Sequence, residues 1–283
     1  MHVSVVAETI FYLGAFPVTN SLLTTLIVSL FLIILAIVVG SKASNIPSKL
    51  QSIVEMAVGG VLGLVEDVAG KKQGREIFPL LCTFFLFIII SNWAGLIPGV
   101  GSIGIYEEKE HESAYEVESL NSVQAETVTN AQNNEEETAA TVAEENSEEV
   151  KIEKTFVPLF RGPTADLNTT IALALISVFM IQFYGFKHLG LKYLKKFFNF
   201  SNPINAFIGI LELISEFSRI ISFAFRLFGN IFAGEVLLTV ISFLIPFIAP
   251  LPFLGLEIFV GFIQALVFTM LSLVFISMAT SHH

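Results

Sequence analysis

The sequence has one cysteine, Cys82, one tryptophan and little charge for its length. A single thiol excludes a disulfide framework and a cysteine-based metal site; inside an apolar segment it reads as a small packing residue. Charged residues are 14% of the 283, against about 25% in soluble domains. Hydrophobic residues are 54%, and mean hydropathy is +0.75. This excludes a pair of soluble globular domains and points to an integral membrane protein. The five histidines are scattered, and neither a Ser/His/Asp pattern nor a phosphate-cradling glycine loop stands out. Nothing therefore points to covalent-bond chemistry, a metal, a cofactor or nucleic acid. Residues 1–20 lack a basic start and a small-residue cleavage site, so no removable signal peptide is expected.

The net charge of −10 belongs to one block. Between Tyr106 and Thr155 there are 15 Glu, no Asp and 3 Lys; the remainder has 10 acidic and 12 basic residues. The block is rich in Glu, Ser, Thr, Asn and Gln, a composition that cannot bury enough apolar surface to fold. It reads as a disordered insertion over residues 103–155, between a membrane part at 1–102 and another at 156–283. A proton-collecting antenna is a second reading of it.

Apolar runs divide the rest into about five transmembrane helices, making the fold class an all-α polytopic membrane protein. The expected spans are Leu22–Val39, Ile77–Ile97, Leu167–Phe186, a long or broken helix from Ile204 to about Ile245, and Leu254–Met278. Pro79 falls in the first turn of the second span, where proline is tolerated, and Pro246, Pro250 and Pro252 mark the turn between the last two. Leu50–Val68 is amphipathic and expected on or near the membrane surface. Segments 41–76 and 187–203 carry five and four Lys/Arg in short connections, so both are expected to be cytoplasmic. The acidic loop and the N-terminus then lie outside, and the C-terminus inside.

The most informative stretch is Glu212–Glu235. Arg226 sits in the middle of a run of spanning length, flanked by Phe225, Leu227 and Phe228. A guanidinium stays protonated, and at the bilayer centre it costs about 2.5–3.5 kcal/mol on insertion scales. The plainer alternative is an Arg near a helix end, snorkelling to the headgroups. Against that, Ser222, Arg226 and Asn230 recur at four-residue spacing, a polar stripe on one face. Glu235 falls roughly 180° round the helix from Arg226 and about 13–14 Å along it. Counted from the proline turn, Glu235 and Glu257 lie at nearby depth on the outer side, with Gln264 deeper, near Arg226. Two carboxylates facing each other in a low dielectric are expected to share protons and titrate in coupled steps.

Phe225-Arg226-Leu227-Phe228-Gly229-Asn230, with Ala233-Gly234-Glu235, resembles the signature of subunit a of F-type ATP synthases. Glu257, Gln264-Ala265, Ser277-Met278-Ala279, Asn92-Trp93-Ala94-Gly95-Leu96-Ile97-Pro98 and Pro163-Thr164-Ala165-Asp166-Leu167-Asn168 agree with it. The resemblance covers nearly everything except about 103–155. It implies a non-catalytic subunit whose long, tilted, antiparallel C-terminal hairpin lies against a ring of c subunits. The expected setting is a bacterial inner membrane, with peripheral-stalk b subunits and the rest of the synthase as partners, and no cofactor.

The implied function is ion translocation, with the proton as the expected ion, through two offset half-channels meeting at Arg226. Ion flow would drive ring rotation and ATP synthesis. Glu235 and Glu257, with Asn230, would line the outer path, and Gln264 would be an uncharged hydrogen-bonding neighbour of Arg226. Glu212, fourteen residues before Arg226 and within about 40° of its face, would serve the inner exit with Ser222. Asp166 and Asn168 would lie near the outer entrance, although helix capping explains them too. Ser218 and Arg219 are weaker candidates, and snorkelling at the cytoplasmic interface accounts for Arg219. Family members often pair a Glu with a His across the last two helices, whereas both positions are Glu in this chain. An independent secondary transporter would call for internal repeats, and none is visible. A passive anchor would leave Arg226, Glu235, Glu257 and Gln264 without a reason to bear their insertion cost.

Overall fold

A computed structural model describes residues 7–41, 48–97, 99–100, 103–109, 153–190, 193, 203–246 and 248–280. Residues 7–104 and 158–280 belong to one compact unit. Its helices are α1 (Asn20–Ser41), α2 (Lys49–Ala94), α3 (Leu167–Leu189), α4 (Pro203–Leu244) and α5 (Pro250–Thr280). All five are long and apolar enough to cross a membrane. Leu26, Leu30, Ile33 and Ile37 of α1 lie exposed along one side, at the i, i+4, i+7, i+11 spacing of one helix face. A row of that kind is stable facing lipid, and the chain is a multi-pass membrane protein.

Two short two-stranded sheets were not expected from an all-α reading. Strands β1 (Thr9–Leu13) and β2 (Phe16–Thr19) pair ahead of α1. Strands β3 (Gly104–Lys109) and β4 (Glu153–Pro158) pair with each other, and most of that pair lies in a second unit, 105–157. The ends of the acidic insertion are therefore strands rather than disordered chain. The rest of that expectation, over 110–152, lies outside the described residues, as do Lys42, Pro98, Lys192, Lys195 and Lys196.

The expected surface segment and second span are continuous in α2, broken only at Gly70, whose φ of 75° and ψ of 159° lie outside the helix. This backbone region is essentially confined to glycine. The bend brings Arg75 back on Glu66, with Nε 2.7 Å from Oε1. Because the helix resumes directly after Gly70, Pro79 lies inside it rather than in a first turn; the Thr83 hydroxyl donates to the Pro79 carbonyl at 2.8 Å. At the last turn, α5 starts at Pro250 instead of Leu254, because proline fits the first helical positions, where no intrahelical N–H bond is needed.

Polar contacts fix the alternation of the helices. At one end, the Ser21 hydroxyl donates to Asp166 Oδ2 at 2.6 Å, joining the starts of α1 and α3. At the other, Lys187 and His188 at the end of α3 meet Glu76 of α2 at 2.6 and 3.7 Å, and Gln73 donates to Thr280 at the end of α5. The core between them is aromatic and aliphatic. Phe268 of α5 meets Phe84 of α2 edge-on at 5.6 Å and Phe223 of α4 at 4.9 Å, with Leu81, Ile88, Ile181, Leu227 and Leu273 fully enclosed. Replacing Gly70 by Ala is expected to destabilise the bend by about 1–3 kcal/mol, read as a lower thermal midpoint of the purified protein; replacing the helical Gly59, with open space around it, should not lower it.

Candidate ion path between α4 and α5

Helix α4 carries the polar face. Ser215, Ser218, Ser222 and Arg226 follow at three- and four-residue spacing and, with Arg219, Phe223 and Phe275, line a cavity of about 240 Å³. Arg226 Nη2 donates to Ser222 Oγ at 3.2 Å. Arg219 is held against the protein. Its Nη1 lies 2.7 Å from both carboxylate oxygens of Glu216, and its guanidinium sits 4.0 Å from the centre of the Phe275 ring. Only 15% of its side chain is exposed, so the (i, i+3) pair holds it in the protein. Glu212, the expected inner-exit carboxylate, is partly exposed and is not in the wall of this cavity.

Gln264 joins α5 to α4. Its Nε2 donates to the Arg226 backbone carbonyl at 2.7 Å, and its Oε1 accepts from Asn230 Nδ2 at 2.8 Å. The hydrogen bond to Arg226 is thus made to the main chain, leaving the guanidinium directed toward Ser222. Asn230 joins this bridge rather than Glu235 and Glu257, and is absent from the wall of the cavity that those two carboxylates line.

A second cavity, expected on the outer side and about 210 Å³, is lined by Asn92 of α2, Arg161, Glu235 and Thr239 of α4, and Glu257 of α5, among apolar groups. Glu257 lies directly over Gly234: a Cβ there would occupy the space of its carboxylate. Glu235 and Glu257 therefore open onto one cavity, but Glu235 faces Arg161, with Nε 3.6 Å from Oε2. Asn92 holds the wall together, donating to the Gly261 carbonyl at 2.9 Å and accepting from Thr164 Oγ1 at 2.7 Å. Trp93 Nε1 donates to the Ile258 carbonyl at 3.1 Å.

Asp166 caps α3, its Oδ1 accepting the Asn168 N–H at 3.1 Å while Oδ2 takes the Ser21 hydroxyl. Neither Asp166 nor Asn168 lines the outer cavity. Two residues of the site were not singled out from sequence, Arg161 and Glu216, and Asn92 was read there only as part of a motif. Glu216 could have been found as an acid three residues before Arg219. Arg161 meets Glu235 across 74 positions, a pairing that no helical period reveals.

A model of the family described as ATP synthase A chain matches residues 21–277. The chain belongs to that family. Among similar proteins, ATP synthase subunit a of Moorella thermoacetica is 29% identical over 269 residues, covering 95% of this chain and 94% of its own. The subunit a of Geotalea daltonii is 30% identical over 253 residues, covering 89% and 83%, respectively. That of Gloeobacter violaceus is 30% identical over 264 residues, covering 93% and 85%. Membership extends across both cavities and the Gln264 bridge, which all lie within the matched span.

Substituting Gly234 by Ala is expected to displace the Glu257 carboxylate and reduce ATP-driven ion uptake into vesicles at least tenfold, with the protein still present in the membrane. Immunoblots and uptake on the same vesicles would check both parts.

Proposed function

We propose that this chain is the ion-conducting, non-catalytic subunit of a rotary ATP synthase, with the proton as its ion. The observation that carries the reading is the pair of polar cavities. They share no lining residue, and the Gln264 bridge lies between them at the level of Arg226 and Asn230. One contains Arg226, the other Glu235 and Glu257; nine residues of helix, about 13–14 Å, separate Arg226 from Glu235. An ion entering one cavity cannot leave by the other without being carried past the level of Arg226.

The carrier would be a ring of c subunits, each presenting a carboxyl group near mid-membrane. Phe207, Leu211, Ile214, Phe217, Ile221 and Phe225 form an exposed apolar row along α4, ending beside Arg226, and suit a greasy rotating partner. A ring carboxylate at about 4 Å from Arg226 would gain about 4 kcal/mol at an effective dielectric of about 20. That favours its ionised form and release of its proton into the inner cavity along Ser222, Ser218 and Ser215. The fixed positive charge also opposes a proton crossing directly between the cavities. After passing Arg226, the carboxylate is reprotonated from the outer cavity by Glu235 and Glu257. Asp166 and Asn168 support that side structurally at the entrance, and Glu212 is kept as a candidate on the exit surface beyond the serines.

Segments 41–76 and 187–203 carry five and four basic residues, which supports a cytoplasmic side for the Gly70 bend and the Glu76–Lys187 contact. The N-terminal hairpin and the outer cavity then face outward, and the C-terminus inward, in a bacterial inner membrane. Peripheral-stalk b subunits would hold the chain against the ring, and ATP chemistry would take place on other subunits.

Arg226→Ala in the assembled complex is expected to abolish ATP-driven proton uptake while the complex still assembles. Uptake at near wild-type rate would make Arg226 structural and overturn the two-cavity mechanism, as would a passive anchor's behaviour, loss of stability alone.

A further inference from the structure

Two arginines, Arg219 and Arg226, line the cavity along the serines of α4, and no carboxylate lines it among the described residues. They stand seven residues apart on one helix, about 20° round it from each other and about 10 Å along it, so both present their charge to the same space. Their surroundings differ. Arg226 meets the neutral Ser222 hydroxyl. Arg219 has its Nη1 2.7 Å from both oxygens of Glu216, and the Phe275 ring of α5 covers its guanidinium at 4.0 Å. The Glu216 side chain is 12% exposed and outside the cavity wall, so the cavity meets the arginine and not its carboxylate. Two other titratable groups stand near the pair. Glu212, one turn earlier on α4, is partly exposed and outside the wall. Tyr193, from the segment after α3, is buried and donates to Gln182 Oε1 at 2.7 Å. Burial, with Glu216 nearby, pushes the Tyr193 hydroxyl up to about 12, so it adds no charge. Helix α5 contributes Phe275 to this wall, which is neutral.

We propose that Glu216 is a positioning residue of the ion path: by pairing with Arg219 it cancels the second positive charge of this cavity, so that Arg226 alone sets the potential at which a ring carboxyl is loaded or emptied there. This rests on the ion-path reading above and deepens it. An arginine does not shed its charge, so a guanidinium in the wall acts on a nearby carboxyl at every working pH. At an effective dielectric of about 20, a unit charge about 10 Å away displaces such a titration by about one pH unit. Unpaired, Arg219 would favour the ionised carboxyl beyond what Arg226 already imposes, and would hinder its loading from the cytoplasmic side. Paired, it closes the wall against Phe275 with little net field. Glu216 stays ionised throughout, and no proton passes over it.

The test is ATP-driven proton uptake by the assembled synthase in inverted vesicles, recorded against external pH, with assembly followed on the same samples. The ring then loads its protons from the side this cavity is expected to face, and uptake falls at alkaline pH where loading fails. The catalytic part is common to all variants, so a displaced alkaline limb reports the membrane path. Glu216→Gln unpairs the arginine and is expected to move the midpoint of that limb to acid by about half a pH unit or more. Arg219→Gln leaves the carboxylate unpaired and is expected to move it to alkaline by about as much. The double variant should lie closer to wild type than either single one, and Arg219→Lys closer than Arg219→Gln. A pair that merely braces α4 would lower assembly or rate without shifts of opposite sign. Midpoints that stay in place or move in the same direction in the assembled single variants would overturn the proposal, as would a double variant displaced further than either. If Glu216→Gln does not assemble, the Arg219→Gln displacement and its comparison with Arg219→Lys decide alone. Arg226→Ala separates the two readings: abolished uptake there, without the opposite shifts, leaves the ion path standing and removes only this role of Glu216.

Discussion

The two amide bonds of Gln264 set the register on which the rest of the membrane unit depends. An amide in an apolar environment that is left without partners costs several kcal/mol, so its two partners on α4 act as a depth gauge. With Gln264 held to the Arg226 carbonyl and to Asn230, the antiparallel helices can be counted outward together. Seven residues back on α5 reaches Glu257, and eight residues on along α4 reaches Gly234, advances of about 10 and 12 Å. These are the two residues found in contact. A slip of one turn, about 5.4 Å, would leave the amide unmet and move Glu257 away from the only residue type that admits its carboxylate so close to the backbone. Asn92 does the same for α2, meeting Gly261 and Thr164 with its two amide ends. In a chain this apolar, hydrophobic contact alone does not choose between registers, because lipid satisfies a leucine as well as another helix does.

That constraint explains what was legible in the sequence. Long elements announce themselves by apolar length: α4 was expected from Ile204 to about Ile245 and runs Pro203–Leu244. The hairpin's pairing could be read too, Gln264 meeting Arg226 and Glu257 lying beside Gly234, since helices turning back at a proline-rich corner have few ways to align. The errors lie where one local feature has two physical uses. Proline ends helices but also starts them, so Pro250 opens α5 instead of preceding it. Glycine within an apolar run looks neutral, and only a φ of 75° shows that Gly70 turns the chain. Arg219 was taken for a snorkelling residue by its position, although Glu216 stood three residues before it and holds it inside. The strands β1 and β2 escaped notice because each has only five or four residues, too few to show an alternation.

The charges in the cavity walls close the argument. Five ionisable groups line them: Arg219 and Arg226 in one, Arg161, Glu235 and Glu257 in the other. Three of them stand beside an opposite charge: Arg219 by Glu216, and Arg161 and Glu235 by each other. A buried pair adds little net stability, but removing one partner is costly, about 3–5 kcal/mol; Arg219–Glu216, largely enclosed on both sides, is of this kind. Two groups remain without an opposite charge among the described residues: Arg226 in one cavity and Glu257 in the other. They have opposite signs and stand at different depths. Each bears the expense of a charge left unmatched within the described residues. In the proposed function a ring carboxylate would meet the first and a proton the second, so a visitor alternating between a carboxylate and its protonated form would lose or gain a proton between them. The separation of these two unmatched groups, held by the Gln264 bridge, is what would make passage from one to the other directional work instead of a leak.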